Sequence, residues 1–154
     1  MEKPKGILIV SAHWESAPLT IGSVTDNTPL IYDFGGFHPK YYNMQYNSPG
    51  APALAARVKG LMGEPVHEQS NRGLDHGAWV PLMHLFPDAN VPVVQVSMPL
   101  DTDETKAFAL GQILTPLSQE GVLIIGSGSL THNLYEFRTG EVQEATYAKE
   151  FSFW

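Results

Sequence analysis

The chain has 154 residues, of which 43% are hydrophobic, and its formal net charge is −7 at pH 7. This length suits one domain with one sizeable core, and an acidic balance without a lysine or arginine cluster excludes the usual electrostatic footprint of a nucleic-acid binder. The absence of cysteine excludes disulfides, zinc–thiolate sites and thiol nucleophiles and fits a cytoplasmic location, and no run approaches the roughly 18 apolar residues of a membrane span.

A short aliphatic run near the start predicts the first buried strand. Residues 7–10 are all aliphatic and lead directly into the segment SAHW at residues 11–14. Such a run is typical of a parallel strand, and ligands in open α/β sheets bind just beyond the carboxyl ends of the strands. We therefore expect His13 to follow this strand at a position where it can bind a ligand or act in catalysis.

The chain then continues through a half-buried strand, a long loop and a helix. Residues 19–24 alternate apolar with small or polar side chains, as a half-buried strand does. Residues 26–50 are rich in proline, glycine and aromatic side chains, and long ordered loops of compact domains are usually functional. Ser48 and Pro49 predict the N-cap and first turn of a helix that Gly63 closes.

Two further strands and a helix are expected before residue 100. Residues 65–68 are compatible with a short strand, and residues 91–98 form another buried apolar run with Pro92 at its start. Between them, a helix is predicted from about His76 to Phe86, and Pro81 is best accommodated in its first turn.

The last third of the chain predicts a long helix and a final strand. Asp101 and Glu104 have the spacing of a capping box, and the helix that follows carries an apolar stripe, with Pro116 as its kink or end. The stripe consists of Phe108, Leu110, Ile113, Leu114 and Leu117. Residues 121–129 then repeat the pattern of a buried strand and a glycine-rich turn, and His132 follows. Alternating strands and helices predict a three-layer α/β/α sandwich around a largely parallel or mixed sheet.

The histidines differ in how strongly their surroundings indicate function. A single histidine after a strand is more often structural, but His13 and His132 follow two strands of one predicted sheet, next to small residues that leave room for a ligand. His76 lies in LDHG at residues 74–77, where capping a helix and a functional role are equally compatible, and Asp75 could orient it or a neighbour. We interpret three others as structural, namely His38, His67 and His84.

Four separated segments, taken together and in order, resemble the class III extradiol ring-cleavage dioxygenases of the LigB-like superfamily. They are SAHW at residues 11–14, IYDFGGF at 31–37, LDHG at 74–77 and GSGSLTHNL at 126–134. The similarity covers almost the whole chain and is strongest to the DOPA 4,5-dioxygenase branch. The same glycine-rich segment lacks the lysine of a Walker motif and the third glycine of a dinucleotide fingerprint, which disfavours nucleotide binding.

This resemblance implies a non-haem Fe(II) enzyme that opens a catechol ring with O₂, at a site where Zn(II) can also bind. It implies that His13 is a metal ligand and that His132 is the acid–base residue, with a second interpretation of His132 as a metal contact. It further implies that His76 contacts substrate or oxygen and that Phe34 lines the ring-binding side, although Phe34 is equally compatible with the core. The expected partners are a small aromatic catechol and O₂, with no nucleic acid and no membrane.

The sequence also departs from the family pattern at both ends. The family's strand ending in a His-Gly-Ser-Pro element, which supplies another ligand, does not precede Lys5, and the last expected ligand would lie beyond Trp154. Of the expected metal triad only His13 is present, so we expect residues 1–154 to be a single domain that is incomplete at both termini.

Two alternatives remain open from the residues alone. One is a non-catalytic metal-binding or interaction protein on the same scaffold, because a fold does not determine chemistry. The other is a zinc hydrolase with His13, His76 and His132 as ligands, which lacks a carboxylate in an obvious general-base position. The sequence identifies neither the particular catechol nor the oligomeric state.

Overall fold

The structure, a computed structural model, describes residues 2–100, 102–129, 133 and 145–153. Its described strands form one mixed sheet in the order β3-β2-β4-β1-β5. The strands are β1 (Gly6–Ser16), β2 (Thr20–Ile21), β3 (His67–Glu68), β4 (Val93–Pro99) and β5 (Val122–Ser127). β4 and β5 run parallel to β1 on its two sides, whereas β2 is antiparallel to β4. The carboxyl ends of β4, β1 and β5 therefore meet at one edge of the sheet.

Helices cover both faces of this sheet. They are α1 (Pro52–Met62), α2 (His76–Leu85), α3 (Glu104–Gln119) and α4 (Thr146–Phe153), with a 3₁₀ helix at Pro39–Asn43. One core contains α1 and α3 packed on the sheet, and a second core contains α2 on the opposite face. The predicted three-layer α/β/α sandwich is thus confirmed, with a mixed rather than purely parallel sheet.

The alternation of β1 determines which side chains reach each core. Leu8 packs with α1 and α3, whereas Ile7 and Ile9 pack with α2, because successive side chains of a strand point to opposite faces. The odd-numbered face of β1 is therefore the face that α2 covers. This face leads towards His13.

The start of α1 differs from the prediction. The helix begins at Pro52 with Ala51 as its N-cap, so the predicted cap at Ser48 and Pro49 is wrong. The backbone at residues 50 and 51 is instead held against the loop after β2, since Ala51 N–H donates to Val24 O at 2.9 Å. A Cβ at Gly50 would lie 2.6 Å from the same carbonyl, so the backbone at Gly50 is closer to Val24 than a residue with a side chain would allow. The helix begins only after this contact. The predicted end is confirmed, with Gly63 in the left-handed region at φ 65°.

Two other local predictions are also corrected. Asp101 lies outside the described residues, and the N-cap of α3 is Asp103, whose Oδ1 accepts from Lys106 N–H at 2.7 Å. Pro81 lies inside α2 rather than in its first turn. A proline there leaves the Gly77 carbonyl without its helical donor, and the Ser127 hydroxyl donates to that carbonyl instead. This bond joins the start of α2 to the end of β5.

The predicted burial of α3 and β5 is only partly confirmed. Leu110, Leu114 and Leu117 of α3 are buried, but Phe108 is 69% exposed and Ile113 is 39% exposed. β5 is half-exposed rather than buried, because among the described residues it pairs only with β1. No described helix is both long and apolar enough to cross a membrane.

The burial of α3 predicts a contrast between two of its side chains. Leu114→Ala should lower the free energy of unfolding by about 2–5 kcal/mol, because it leaves a cavity under the sheet. Phe108→Ala removes a larger but exposed side chain and should change it by less than about 0.5 kcal/mol. Urea unfolding followed by circular dichroism measures both, and an equal loss in the two variants would contradict this packing of α3.

Candidate metal and substrate site

His13 lies in an irregular part of β1 rather than beyond the strand, which corrects the expected strand end. The pairing of β1 with β4 is regular up to Val10 opposite Val96 and resumes only with Glu15 opposite Met98. Residues 11–14 therefore leave the ladder with β4 between these two points. Ser11 is fully buried there, and its hydroxyl accepts from His13 N–H at 3.2 Å. His13 therefore lies in the segment where β1 is not paired with β4, at the edge of the sheet that carries the strands' carboxyl ends.

His76 is the first residue of α2 and is not its cap. Asp75 is the N-cap, and its fully buried carboxylate accepts from Ala78 N–H at 3.1 Å. The Gln95 side-chain amide donates to the other oxygen of Asp75 and accepts from Asp75 N–H. Asp75 thus stabilises the start of α2, and of the two roles expected for it, to orient His76 or a neighbour, its hydrogen bonds to Ala78 and Gln95 fit the second.

The carboxylate of Asp33 joins the two imidazoles instead. Asp33 Oδ1 lies 2.7 Å from Nδ1 of His76 and accepts from His76 N–H at 2.9 Å, while Oδ2 lies 3.2 Å from Nδ1 of His13. The ring centroids of His13 and His76 are 4.1 Å apart, with 76° between the ring planes. These two predicted site residues therefore converge, and Asp33 is the site residue that sequence reasoning missed, although IYDFGGF contains it.

Electrostatics favours the ionised form of Asp33. Burial by itself raises the pKa of this carboxyl group, but the hydrogen bonds from the His76 backbone and side chain outweigh it, and the pKa lies below its usual value. Because Asp33 also faces the N-terminus of α2, the helix dipole favours the same charge. The site therefore holds an anionic group between two histidines.

The loop that carries Asp33 is tied to the start of α2. Leu30 forms a parallel bridge with Leu74, and Ile31 N–H donates to Leu74 O at 2.7 Å. Trp79 Nε1–H donates to Ile31 O at 3.0 Å. These bonds hold the aromatic loop, residues 26–50, at a point two residues before Asp33, which places the carboxylate beside His76.

A mainly apolar cavity of about 370 Å³ adjoins His76. Its lining includes four aromatic side chains, from Phe34, Phe37, Tyr41 and Trp79. The Phe34 ring lies 5.4 Å from the His76 ring and also packs against the α2 core, so it both lines the cavity and belongs to the core. The volume lies within the roughly 300–1,000 Å³ typical of small-molecule sites.

The other histidines occupy separate places. His132 lies outside the described residues, so its convergence with His13 and His76 stays a prediction. His38 Nδ1 accepts from Lys40 N–H at 3.2 Å at the start of the 3₁₀ helix, and His67 is exposed in β3. His84 lines the same apolar cavity as His76.

The donor set at His13, Asp33 and His76 fits a divalent metal. One potential ligand atom from each residue lies within 4.8 Å of the others. Two imidazoles and a carboxylate are donors that Fe(II) and Zn(II) both accept. The three side chains are each about a quarter to a third exposed, so a small ligand can approach the group.

Gly77 packs closely against residues of the candidate site, and this packing can be tested by substitution. A Cβ at Gly77 would overlap the Ser11 hydroxyl and lie 3.1 Å from His13 Cδ2, so Gly77→Ala should lower the free energy of unfolding by about 1–3 kcal/mol and displace His13. Gly111→Ala in α3 is the control, since its Cβ would meet nothing within 4 Å and should raise stability by about 0.5–1 kcal/mol. Urea unfolding distinguishes the two, and a neutral Gly77→Ala would contradict this packing.

Comparison with known proteins agrees with this architecture. The family described as "Catalytic LigB subunit of aromatic ring-opening dioxygenase" matches residues 1–152. A solved structure of an uncharacterized protein from Escherichia coli K12 superposes with a TM-score of 0.75 and 31% identity, covering 97% of this chain and 57% of that one.

Curated relatives share the sequence at higher identity. A 4,5-DOPA dioxygenase extradiol of Beta vulgaris is 49% identical over 135 residues, which are 85% of this chain and 50% of that protein. The protein of the same name from Mirabilis jalapa is 41% identical over 157 residues, or 100% of this chain and 58% of its own length. The chain therefore spans about half the length of the curated relatives it matches. By the match over residues 1–152, it belongs to the LigB family of aromatic ring-opening dioxygenases.

Proposed function

We propose that these residues form part of an Fe(II)-dependent extradiol dioxygenase that opens a catechol ring with O₂, with a DOPA-like molecule as substrate. The observation that carries the proposal is the pairing of His13 and His76 around Asp33, directly beside an aromatic-lined cavity. Family membership and relatives named as 4,5-DOPA dioxygenases support it. A cytoplasmic location, proposed from the absence of cysteine, is compatible with this activity.

In this proposal His13 is a metal ligand. It is the residue of SAHW that matches the family's ligand, and β1 places it at the open edge of the sheet. The chemistry that Fe(II) would supply when bound is simultaneous coordination of a catecholate and O₂, with electron transfer between them. Zn(II) suits the same donors without that redox chemistry.

Phe34 and His76 bind the substrate in the proposed site. The Phe34 ring offers an aromatic surface for edge or offset stacking with the catechol, and the other aromatic side chains that line the cavity give its ring an apolar surrounding. His76 lies between this cavity and His13, so its imidazole can contact a substrate oxygen. The apolar walls favour the flat aromatic ring of the substrate.

His132 is proposed as the acid–base residue. It would take a proton from the substrate hydroxyl and later return it as the O–O bond breaks, a task that suits a group titrating near neutrality. The support is its place in GSGSLTHNL, together with β5, which brings the preceding serines to the same edge as His13. If His132 instead contacts metal, its loss should remove metal as well as activity.

Metal binding gives the first test. The chain should bind Fe(II) or Zn(II) weakly, because only His13 of the expected metal triad is present, and His13→Ala should remove most of this binding. His67→Ala is the matched control, since His67 is exposed in β3 and contributes nothing to the site. Calorimetric titration of each protein with Zn(II) measures both, and an equal affinity in the His13→Ala and unmodified proteins would contradict the ligand role.

Turnover gives the second test, on a chain completed with the matching terminal segments of the Beta vulgaris relative. This protein should consume O₂ with DOPA and form a yellow semialdehyde. His132→Ala should lower turnover by about 10²–10⁴-fold with metal retained, as for loss of a general acid–base group. An oxygen electrode measures it.

Three outcomes of this second test would argue against the account. No oxygen uptake with metal bound would favour a non-catalytic metal-binding protein. Ester or amide hydrolysis with Zn(II) would favour a hydrolase. Complete loss of metal in His132→Ala would reassign that residue as a ligand.

A further inference from the structure

We propose that Asp33 is a positioning residue that fixes both His13 and His76 in the tautomer protonated on Nδ1, so that each ring presents Nε2 as its basic nitrogen. This goes beyond the proposed function, in which His13 is the metal ligand, His76 contacts the substrate, and Asp33, although one of three potential donors, has no assigned role. It rests on that function only for its consequence in metal binding, because the tautomers exist whether or not the protein turns over a catechol.

The hydrogen-bond geometry provides the first step. Both oxygens of Asp33 face ring nitrogens of the same type, Nδ1 of His76 at 2.7 Å and Nδ1 of His13 at 3.2 Å. Only the His76 contact is a hydrogen bond, and an ionised carboxylate only accepts, so Nδ1 of His76 carries the proton. The His13 contact is an ion-pair distance, at which an unprotonated Nδ1 would turn its lone pair towards an anion, so a proton on Nδ1 is favoured there too. In a neutral imidazole the lone pair then resides on Nε2, and the partner of one nitrogen determines the role of the other.

The backbone provides the second step, because it fixes the carboxylate independently of the rings. His76 N–H, at the first residue of α2, donates to Asp33 Oδ1 at 2.9 Å. The same oxygen therefore accepts from the backbone and from the side chain of one residue. If Asp33 turned away to coordinate a cation, this amide would lose its partner at a helix N-terminus, where four N–H groups already lack helical acceptors.

The third step is that Asp75 and Asp33 make different contacts. Asp75 caps α2 through Ala78 N–H and is held by Gln95, so the helix does not need Asp33 as its cap. Asp33 lies on a different segment, the aromatic loop, and touches both rings. Its contacts are therefore those expected of an outer carboxylate that orients metal-ligating or substrate-contacting imidazoles.

The test uses the full chain labelled with ¹⁵N-histidine, without metal, at a pH where the rings are neutral. Long-range ¹H–¹⁵N spectra distinguish the two tautomers directly. His13 and His76 should both show a protonated Nδ1, and His67 and His84 serve as internal references. A protonated Nε2 in either His13 or His76 would overturn the proposal.

Two variants separate positioning from a merely structural contribution. In Asp33→Ala, both rings should lose the enforced tautomer while the spectra of His67 and His84 stay unchanged. In Asp33→Asn, which keeps the shape, the amide nitrogen donates, so the ring facing it should change to the Nε2-protonated tautomer. If both rings kept a protonated Nδ1 in the two variants, Asp33 would not be the group that sets them.

Metal affinity provides a readout of the consequence. Asp33→Asn should weaken Zn(II) binding about 10- to 100-fold, the usual cost of losing an outer carboxylate. With Zn(II) bound to the unmodified chain, the Nδ1 protons should persist in the spectra. Their displacement by Zn(II) would show that Nδ1 and Asp33 coordinate the cation together, and the positioning role would be wrong even if the protein proved to be a dioxygenase.

Discussion

A single carboxylate joins three segments of the chain that are distant in sequence. Asp33 comes from the aromatic loop, His13 from the distorted part of β1 and His76 from the first turn of α2. Separate contacts position these segments. The loop is bridged to Leu74, and the pairing of β1 with β4 is interrupted after Val10. The candidate site exists because these constraints place two imidazoles within reach of one anion.

The packing of α2 against the sheet is the second requirement. Gly77 allows the helix to approach Ser11 and His13 more closely than any residue with a Cβ would. Pro81 leaves the Gly77 carbonyl without a helical donor, and Ser127 of β5 supplies one. Gly77, Pro81 and Ser127, which are distant in the sequence, thus together determine how α2, and with it His76, packs against the edge of the sheet.

Much of this arrangement could be predicted from the sequence, and the reasons for the errors are physical. Apolar runs and their period identified β1 and β4, because burial on both faces leaves a direct composition signal. The N-caps of α1 and α3 were wrongly predicted at Ser48 and Asp101. A polar residue before an apolar stripe shows roughly where a helix begins, whereas the exact N-cap depends on local backbone contacts.

The same distinction applies to the site. The proximity of His13 and His76 followed from strand order and the helix start, both of which have sequence signals. Asp33 carried no such signal, since its partners depend on how a long irregular loop folds back on Leu74. Asp75 was the more obvious candidate by adjacency, yet its carboxylate points into the Gln95 network instead.

The central claim is that His13 is a metal ligand at this edge of the sheet, with Asp33 and the substrate-contacting His76 beside it. Crystals of the full chain grown with Fe(II) under anaerobic conditions, with diffraction data on both sides of the iron absorption edge, test it most directly. The account predicts an anomalous peak beside the imidazole of His13, next to the aromatic cavity. A peak remote from His13, or an occupied site that leaves both imidazoles uncoordinated, would contradict it.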